Sequence, residues 1–365
     1  MKFTLISSQN IYQNPSPAAR SRQALFPGLV KLPNGELLAM FSIAEAFEAA
    51  NNRTYVARSG DLGRTWSGPV MLYDQAKMGL TCQLSDYYKP CGLANGNVVA
   101  TGYGFYRENP DESISDIANA TGELPNGVNL IAFSHDHGHT WSIPRKMELG
   151  LERGLELSGP AIQLNDGRLV IAASEFSLKA EKQIGYSFAS KDNGVSWYKQ
   201  GRFFCHPPMA AWEVRLGELE PNKIGLIFWA HDLSKAQNLP NYFITSDDGG
   251  VTWNTPINTG IRGQAANLLY LGDNQLLTVH AHREKEAPGI YLRQVSISNN
   301  QFTVLAEAKI WSGCPNHEGN IIEQFEHLKF GQPSLIRLSN REFLIAHWCW
   351  ENTMFVIKSH LITIE

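Results

Sequence analysis

The stretch Ser59-Gly60-Asp61-Leu62-Gly63-Arg64-Thr65-Trp66 decides the fold, because it comes back three more times. The second copy is Ser134-His135-Asp136-His137-Gly138-His139-Thr140-Trp141, and the third is Ser190-Lys191-Asp192-Asn193-Gly194-Val195-Ser196-Trp197. The fourth, Ser246-Asp247-Asp248-Gly249-Gly250-Val251-Thr252-Trp253, keeps the shared form S-x-D-x-G-x-[T/S]-W. In each copy the Asp carboxylate can fold back onto nearby backbone N–H groups, Gly supplies a positive φ, and the Ser or Thr hydroxyl closes the turn. Trp then opens a returning strand with a large side chain to bury between sheets. Each copy follows a β-like run, such as residues 54–58. Four copies at broadly regular separation mark a repeat architecture of small β-units.

Around each copy the sequence reads as an inner hairpin followed by an outer one. Blade 1 runs over residues 26–32, turns at Pro33-Asn34-Gly35 and returns over 36–41. Blade 2 repeats this over 87–93 and 97–104, blade 3 over 157–164 and 168–176, and blade 4 over 212–219 and 223–230. Blade 5 covers 264–271, 275–282 and 290–297, with the repeat degraded to Ser298-Asn299-Asn300-Gln301. Blade 6 covers 332–338, 342–350 and 354–363, where the chain stops one strand short. Residues 2–7 are the β-like run left to fill that place. The pattern predicts an all-β, six-bladed β-propeller of four-stranded antiparallel blades, its ring closed by the N-terminal strand so that no open edge remains. No linker divides the chain, so residues 1–365 are expected to form one domain. Residues 105–128 are the longest insertion, of a length that is usually functional.

Composition narrows the partners. A net charge of −4 over 365 residues gives no basic footprint for nucleic acid or an anionic membrane. No apolar run approaches the ~18 residues of a membrane-spanning helix, and the apolar stretch near Met1 is short for a signal peptide. The five cysteines are odd in number and show no CxxC spacing. They read as free thiols in a reducing compartment, with no zinc site. The expectation is a cytoplasmic chain without metal or cofactor; its oligomeric state stays open.

The repeated motifs are Asp-boxes, and the chain resembles the sialidase-like (neuraminidase, BNR or Asp-box repeat) superfamily. Asp-boxes occur in hydrolases, lyases and non-catalytic propellers, so the resemblance implies a fold more than a reaction. In that family the boxes sit on outer hairpins, away from the active site. The opposite end of the ring collects the starts of inner strands and the ends of second strands. Glu48, Asp86, Tyr103, Glu156, Glu175, Asp232 and His282 fall there, with arginines and tryptophans between them. Such a mixture suits sugars, with rings on aromatic faces and polar groups on hydroxyls. Packing explains some of these residues as well, notably one of Trp348 and Trp350, and the same-face pair His280 and His282.

Glu213 stands out, because it interrupts the apolar inner strand Ala210-Ala211-Trp212-Glu213-Val214, where an unpaired carboxylate is costly. The resemblance implies that it matches the family's inner-strand glutamate, in the context Glu213…Glu218-Leu219. Elsewhere the sialic-acid machinery is replaced. Leu25 takes the place of the first carboxylate-binding Arg, with Arg22 nearby; His231 takes that of the second, and Gln332 that of the nucleophilic Tyr. Arg262 and Arg283 are candidates for the third Arg. The resemblance, with these replacements, implies an exo-acting glycoside hydrolase that is not a standard sialidase and takes a carbohydrate of neutral or uronic type. Glu213 would act with Glu175, Asp86, Asp232 or His231, and Arg22, Arg215, Arg283, Gln332, His282, Tyr103 and Trp350 would bind substrate. A lyase on uronate oligosaccharides, with His231 or His282 as proton shuttle, and a non-catalytic glycan- or protein-binding propeller are the alternatives.

Overall fold

The computed structural model describes residues 2–179, 183–298, 300–317 and 319–365. Six antiparallel sheets, each with a four-strand path, pack side by side around a ring that closes on itself. Inner strands start at Gln23–Lys31, Gln83–Gly92, Ile162–Gln163, Met209–Glu220, Ala266–Gly272 and Phe330–Arg337 in blades 1 to 6. Blade 6 is completed by Phe3–Tyr12, antiparallel to Met354–Ile364, with Phe3 opposite Ile364 and Tyr12 opposite Ile357. The closing strand is longer than the 2–7 run expected, because its second half packs Ile11 and Tyr12 into the core between blades 6 and 1. Gln9 also donates its side-chain amide to the Gly63 carbonyl, tying the closure to the first Asp-box.

The boxes are built alike. Ser59 and Thr65 donate their hydroxyls to Asp61 at 2.8 and 2.7 Å, Thr65 N–H donates to the same carboxylate at 2.8 Å, and Gly63 N–H donates to Ser59 Oγ at 2.8 Å. The Thr65 hydroxyl, the Thr65 N–H and the Ser59 hydroxyl pull the Asp61 carboxyl down to about 2. The same bonds recur around Asp136, Asp192 and Asp248. The glycines explain why the turns repeat with the blades. Each holds a positive φ and lies flush on the preceding blade: a Cβ on Gly63 would meet Leu344 of blade 6 at 2.9 Å, and one on Gly138 would meet Leu38 of blade 1 at 2.4 Å. The box therefore clamps blade to blade. In blade 5, Asn299 of the degraded copy lies outside the described residues, and Ser298 pairs with Gln301.

Removing one clamp is a stability change. Asp136→Ala is expected to lower unfolding free energy by about 1 kcal/mol, since the lost bonds are largely exposed. Ligand binding by the folded fraction should not change. Urea unfolding beside a binding titration checks this; weakened binding at unchanged stability would give the boxes another role.

Two insertions cover one end of the ring. Residues 105–128, expected as a loop, contain the helix Ile114–Thr121, capped by Ser113 and Asp116 and ended by Gly122 in the left-handed region. The second helix, Ile321–Glu326, has the same reciprocal cap from Asn320 and Glu323. The two helices pack on each other, and Ile114, Ala118, Ile321 and Ile322 bury against Tyr87, Trp212 and Trp229. Among the described residues no helix is long and apolar enough to cross a membrane, and all five cysteines are free.

Candidate functional site

Three inner strands carry a bulge at the same height. Pairing jumps from Leu25 to Gly28 in blade 1, from Trp212 to Arg215 in blade 4, and from Gly331 to Ser334 in blade 6. The first residue inside each jump has a left-handed backbone: Phe26 at φ 56, Glu213 at φ 51 and Gln332 at φ 42. A side chain in that region costs roughly 1–3 kcal/mol, and bulges are a means of re-aiming one. Here all three residues are aimed at one cavity on the ring axis.

That cavity is small, about 50 Å³, and mostly aromatic: Phe26, Phe47, Tyr103, Phe176, Trp212 and Trp229 wall it, and Phe325 and Leu328 roof it. Its polar groups are three carboxyls, Glu48, Glu156 and Glu213, the amide of Gln332 and the hydroxyl of Tyr103. Gln332 Nε2 donates to Glu213 Oε1 at 2.6 Å. Glu213 Oε2 and Gln332 Oε1 are buried without a hydrogen-bond partner. Glu156 accepts the Glu213 backbone N–H at 3.1 Å, which supports the bulge from below. It can reach because blade 3 breaks its inner strand: only Ile162–Gln163 pairs regularly, and Glu156 is held by an isolated bridge to Ser174. Gly159 permits the break, as a Cβ there would meet the Val214 carbonyl at 2.5 Å.

The charges around the axis are desolvated. Burial pushes the Glu48 carboxyl up to about 7 against the pull of Arg107. Burial likewise brings Glu156 to about 7; the Ser158 hydroxyl opposes this and the neighbouring Glu213 adds to it. Beneath them lie cations. Arg215 donates to Ser158 Oγ and the Val214 carbonyl at 2.9 Å, while Lys89 donates to the Phe26 carbonyl. Burial, helped by Arg215, pushes the Lys89 amine well down. Arg283 is lowered by burial to about 10, with Glu213 opposing. Its Nε donates to the Phe330 carbonyl at 2.6 Å, and its guanidinium lies over Phe330 and Trp348 and against Gly331. Two carboxyls that hold their protons near neutrality beside a third, Glu213, make a site able to give and take protons.

The structure gathers part of the expected set. Glu213, Gln332 and Tyr103 line the axial cavity, and Arg215 and Arg283 lie directly beside it. His231 is buried next door, stacked on Trp212 at 5.8 Å with Nδ1 on Asn238 Oδ1 at 2.9 Å. The others lie apart. Asp86 is sealed between blades 1 and 2, where Tyr73, the Thr54 hydroxyl and the Thr54 N–H hold its carboxylate at 2.7 to 2.9 Å. Glu175 sits at the end of blade 3, its carbonyl taking the Trp212 indole N–H at 3.3 Å. Asp232 caps a turn through Ser234 at 2.6 Å. His282 bridges the Arg262 and Glu286 carbonyls at 2.9 Å. Arg22 lines a separate groove with Arg20 and Arg53, and Trp350 is 43% exposed against Phe355. Lys89, absent from the expected set, carries the same signal as Glu213: one charge in an apolar inner strand, Tyr87-Tyr88-Lys89-Pro90-Cys91. Among the described residues no group of three or more His, Cys, Asp or Glu could hold a metal ion.

A six-bladed ring, four of whose blades carry an Asp-box, with a half-buried glutamate hydrogen-bonded to its sixth inner strand, defines a sialidase-like propeller. The profile of the BNR repeat-like domain matches residues 117–314, just over half of the chain, and the chain belongs to that family. No curated protein matches it in sequence. Among solved structures, a protein of unknown function from Dyadobacter fermentans superposes with a TM-score of 0.78 at 18% identity, covering 100% of this chain and 99% of that one. The intramolecular trans-sialidase of Ruminococcus gnavus gives 0.65 at 14% identity, with 97% of each chain covered. The NanB sialidase of Streptococcus pneumoniae gives 0.68 at 13% identity, over 97% of this chain and 70% of its own. At these identities the likeness is one of fold.

Proposed function

We propose that this chain is a glycoside hydrolase in which Glu213 is the catalytic carboxylate and Glu48 the general acid, acting on a sugar other than sialic acid. One observation carries the reading: Glu213 lines an aromatic cavity, held by Gln332 through one oxygen and with its other, buried oxygen unpartnered, and the same cavity contains a carboxyl that burial raises to about 7. Glycoside hydrolysis needs that asymmetry. Glu48 protonates the leaving oxygen while Glu213 attacks the anomeric carbon or takes the proton of an attacking water. Gln332 cannot serve as a nucleophile; its amide fixes the rotamer of Glu213. A sialic acid is disfavoured because Leu25 is fully buried at the first clamp position and His231 is stacked away at the second. Substrate entry requires Phe325 and Leu328 to move, since 50 Å³ falls well short of the few hundred Å³ that ligand pockets provide.

The test is a panel of neutral and uronic aryl glycosides, with a pH profile on any that turns over. Glu48 is competent while protonated, so kcat/KM is expected to hold below pH 7 and fall as pH rises through about 7. Glu48→Gln should lose most turnover on substrates with poor leaving groups. Glu156 titrates in the same range, so Glu156→Gln is run alongside. Full activity in Glu48→Gln with a lost alkaline limb in Glu156→Gln would move the acid to Glu156. No turnover across the panel would end the hydrolase reading.

A further inference from the structure

Glu48 shares a feature with the bulged residues of the axial wall. Its backbone is left-handed, at φ 57, like those of Phe26, Glu213 and Gln332. Each of the four is gripped, at or beside the strained residue, by a charged side chain from a neighbouring blade. Lys89 donates to the Phe26 carbonyl, Glu156 accepts the Glu213 N–H, and Arg283 donates to the Phe330 carbonyl. Arg107 donates through Nη1 to the Glu48 carbonyl at 2.9 Å. All four of these side chains are buried, at 1 to 4% exposure. A strained backbone persists only where its surroundings over-determine it, and charge-assisted hydrogen bonds are strong enough to do so.

Arg107 has a second task. It ends the strand Val98–Arg107, from which the chain leads into the roof helix Ile114–Thr121. Its Nη2 donates to the Glu112 carbonyl, directly before the Ser113 cap of that helix. One planar guanidinium thus spans the backbone of Glu48 and the start of the roof. The helix packs on Ile321–Glu326, whose Phe325 roofs the cavity, so an opening that admits substrate disturbs both. Arg107 bonds the Glu48 carbonyl, and its charge reaches the carboxyl through space. Tyr87 and Tyr103 also lie within electrostatic reach of that carboxyl, Glu156 and Glu213 share its cavity, and Asp116 of the roof helix lies within reach of Arg107.

We infer that Arg107 is a positioning residue that couples the roof to Glu48: by holding the Glu48 and Glu112 carbonyls together, it keeps the Glu48 carboxyl in the cavity while the roof is closed and releases it when the roof opens. The inference rests on the glycosidase reading for the use of that carboxyl and adds its regulation, since the acid is then desolvated only over a covered substrate.

The test is amide hydrogen exchange of the full chain between pH 5 and 8, corrected for the intrinsic pH dependence of the amides. A carbon-13 titration of the glutamate carboxyls runs beside it, with Glu48 assigned by its loss in Glu48→Gln. Burial raises Glu48 from 4.5 to about 7, so the closed roof binds its proton more tightly than the open one. Protection of Ile114–Thr121 is expected to be largest at the acid end, to fall by up to about tenfold per pH unit until about 7, and to level off above. Glu48→Gln should remove that slope, whereas Glu156→Gln, which deletes the other raised carboxyl, should keep it. Arg107→Lys keeps the charge but has no fork to bridge two carbonyls, so it should flatten the slope as well. Arg107→Gln is the second variant, used should the lysine chain not fold. In either, Glu48 should titrate at least about one pH unit below its wild-type value, because its carboxyl swings into water. An Arg107 that acted through charge alone would do the opposite, and its loss in Arg107→Gln would leave Glu48 higher than in wild type. A flat wild-type profile, a slope that survives in the Arg107 variants, or a Glu48 titration that rises in Arg107→Gln would each overturn the coupling. A slope without turnover on any glycoside would instead remove the hydrolase reading and leave the coupling standing.

Discussion

Glu213→Gln is expected to reduce kcat by at least about 100-fold on any substrate the wild-type chain turns over, the usual scale for losing a catalytic proton-transfer group. The amide keeps the shape of the side chain and can still meet Gln332, so the bulge and the left-handed backbone at Glu213 have no reason to change. What disappears is the oxygen that carries charge into the cavity. A purely structural Glu213 would behave otherwise. Arg283, Arg215 and Lys89 are cations whose charge it offsets, and a structural partner of theirs would show its loss in Tm. Kinetics and thermal unfolding on the same preparation separate the two cases. Near-wild-type turnover with a lowered Tm would assign Glu213 to the scaffold. Gln332→Ala sharpens the comparison: as a positioning residue it should cost less, about tenfold, and shift KM little.

The ring is legible because its information is local. Asp, Gly and Trp within eight residues define a turn whose Asp-centred hydrogen bonds are internal, so the four boxes look alike in sequence and in space. The position of the closing strand comes from counting blades, and only its length exceeds what the sequence suggests. The axial site is half legible. Glu213 and Lys89 share a visible signal, a charge in an apolar inner strand, while Glu156 reaches the axis where blade 3 breaks its inner strand, at a point where Gly159 lies too close to the Val214 carbonyl for any side chain. Glu48 is placed at the right end of the ring by its position after a second strand, but it lies in a loop, and nothing in its neighbours says that its carboxyl turns inward. Asp86 shows the converse error: it stands at the start of the inner run read from the sequence, as a site residue should, yet the strand begins earlier, at Gln83, and Tyr73 and Thr54, distant in sequence, hold its carboxylate within the wall. The two roof helices carry readable caps, Ser113 with Asp116 and Asn320 with Glu323. Their packing over the axis is tertiary and leaves no periodic trace in such short segments.

The ring closure is expected to weaken as pH falls from 6.5 towards 4, through the histidines of blade 6. His360 and His347 are buried and stacked with rings 5.2 Å apart, their Nε2 atoms 3.0 Å from each other, and His360 Nδ1 meets the Ser8 hydroxyl of the closing strand at 2.7 Å. Burial, with Lys358 nearby, holds His360 down at about 4; burial and the facing His360 push His347 well down too. A depressed imidazole is neutral in the folded chain, while the unfolded chain takes up a proton near 6.5. Its contribution is therefore complete above 6.5 and is lost as pH falls through the folded value, about 3 kcal/mol for His360 at 1.36 kcal/mol per unit. Glu48 and Glu156 run the other way, since carboxyls raised to about 7 bind protons in the folded chain first and add stability over the same range. The overall slope thus mixes opposing terms and tests nothing alone. The difference between wild-type and His360→Gln cancels the carboxyls, which lie on the axis away from blade 6's outer strands. Urea unfolding at pH 7.5 and 4.5 should find His360→Gln less stable than wild-type at the higher pH and nearly equal to it at the lower. A gap between the two chains that stays constant across this range would show that the pair is mere packing, with no proton linkage to the closure.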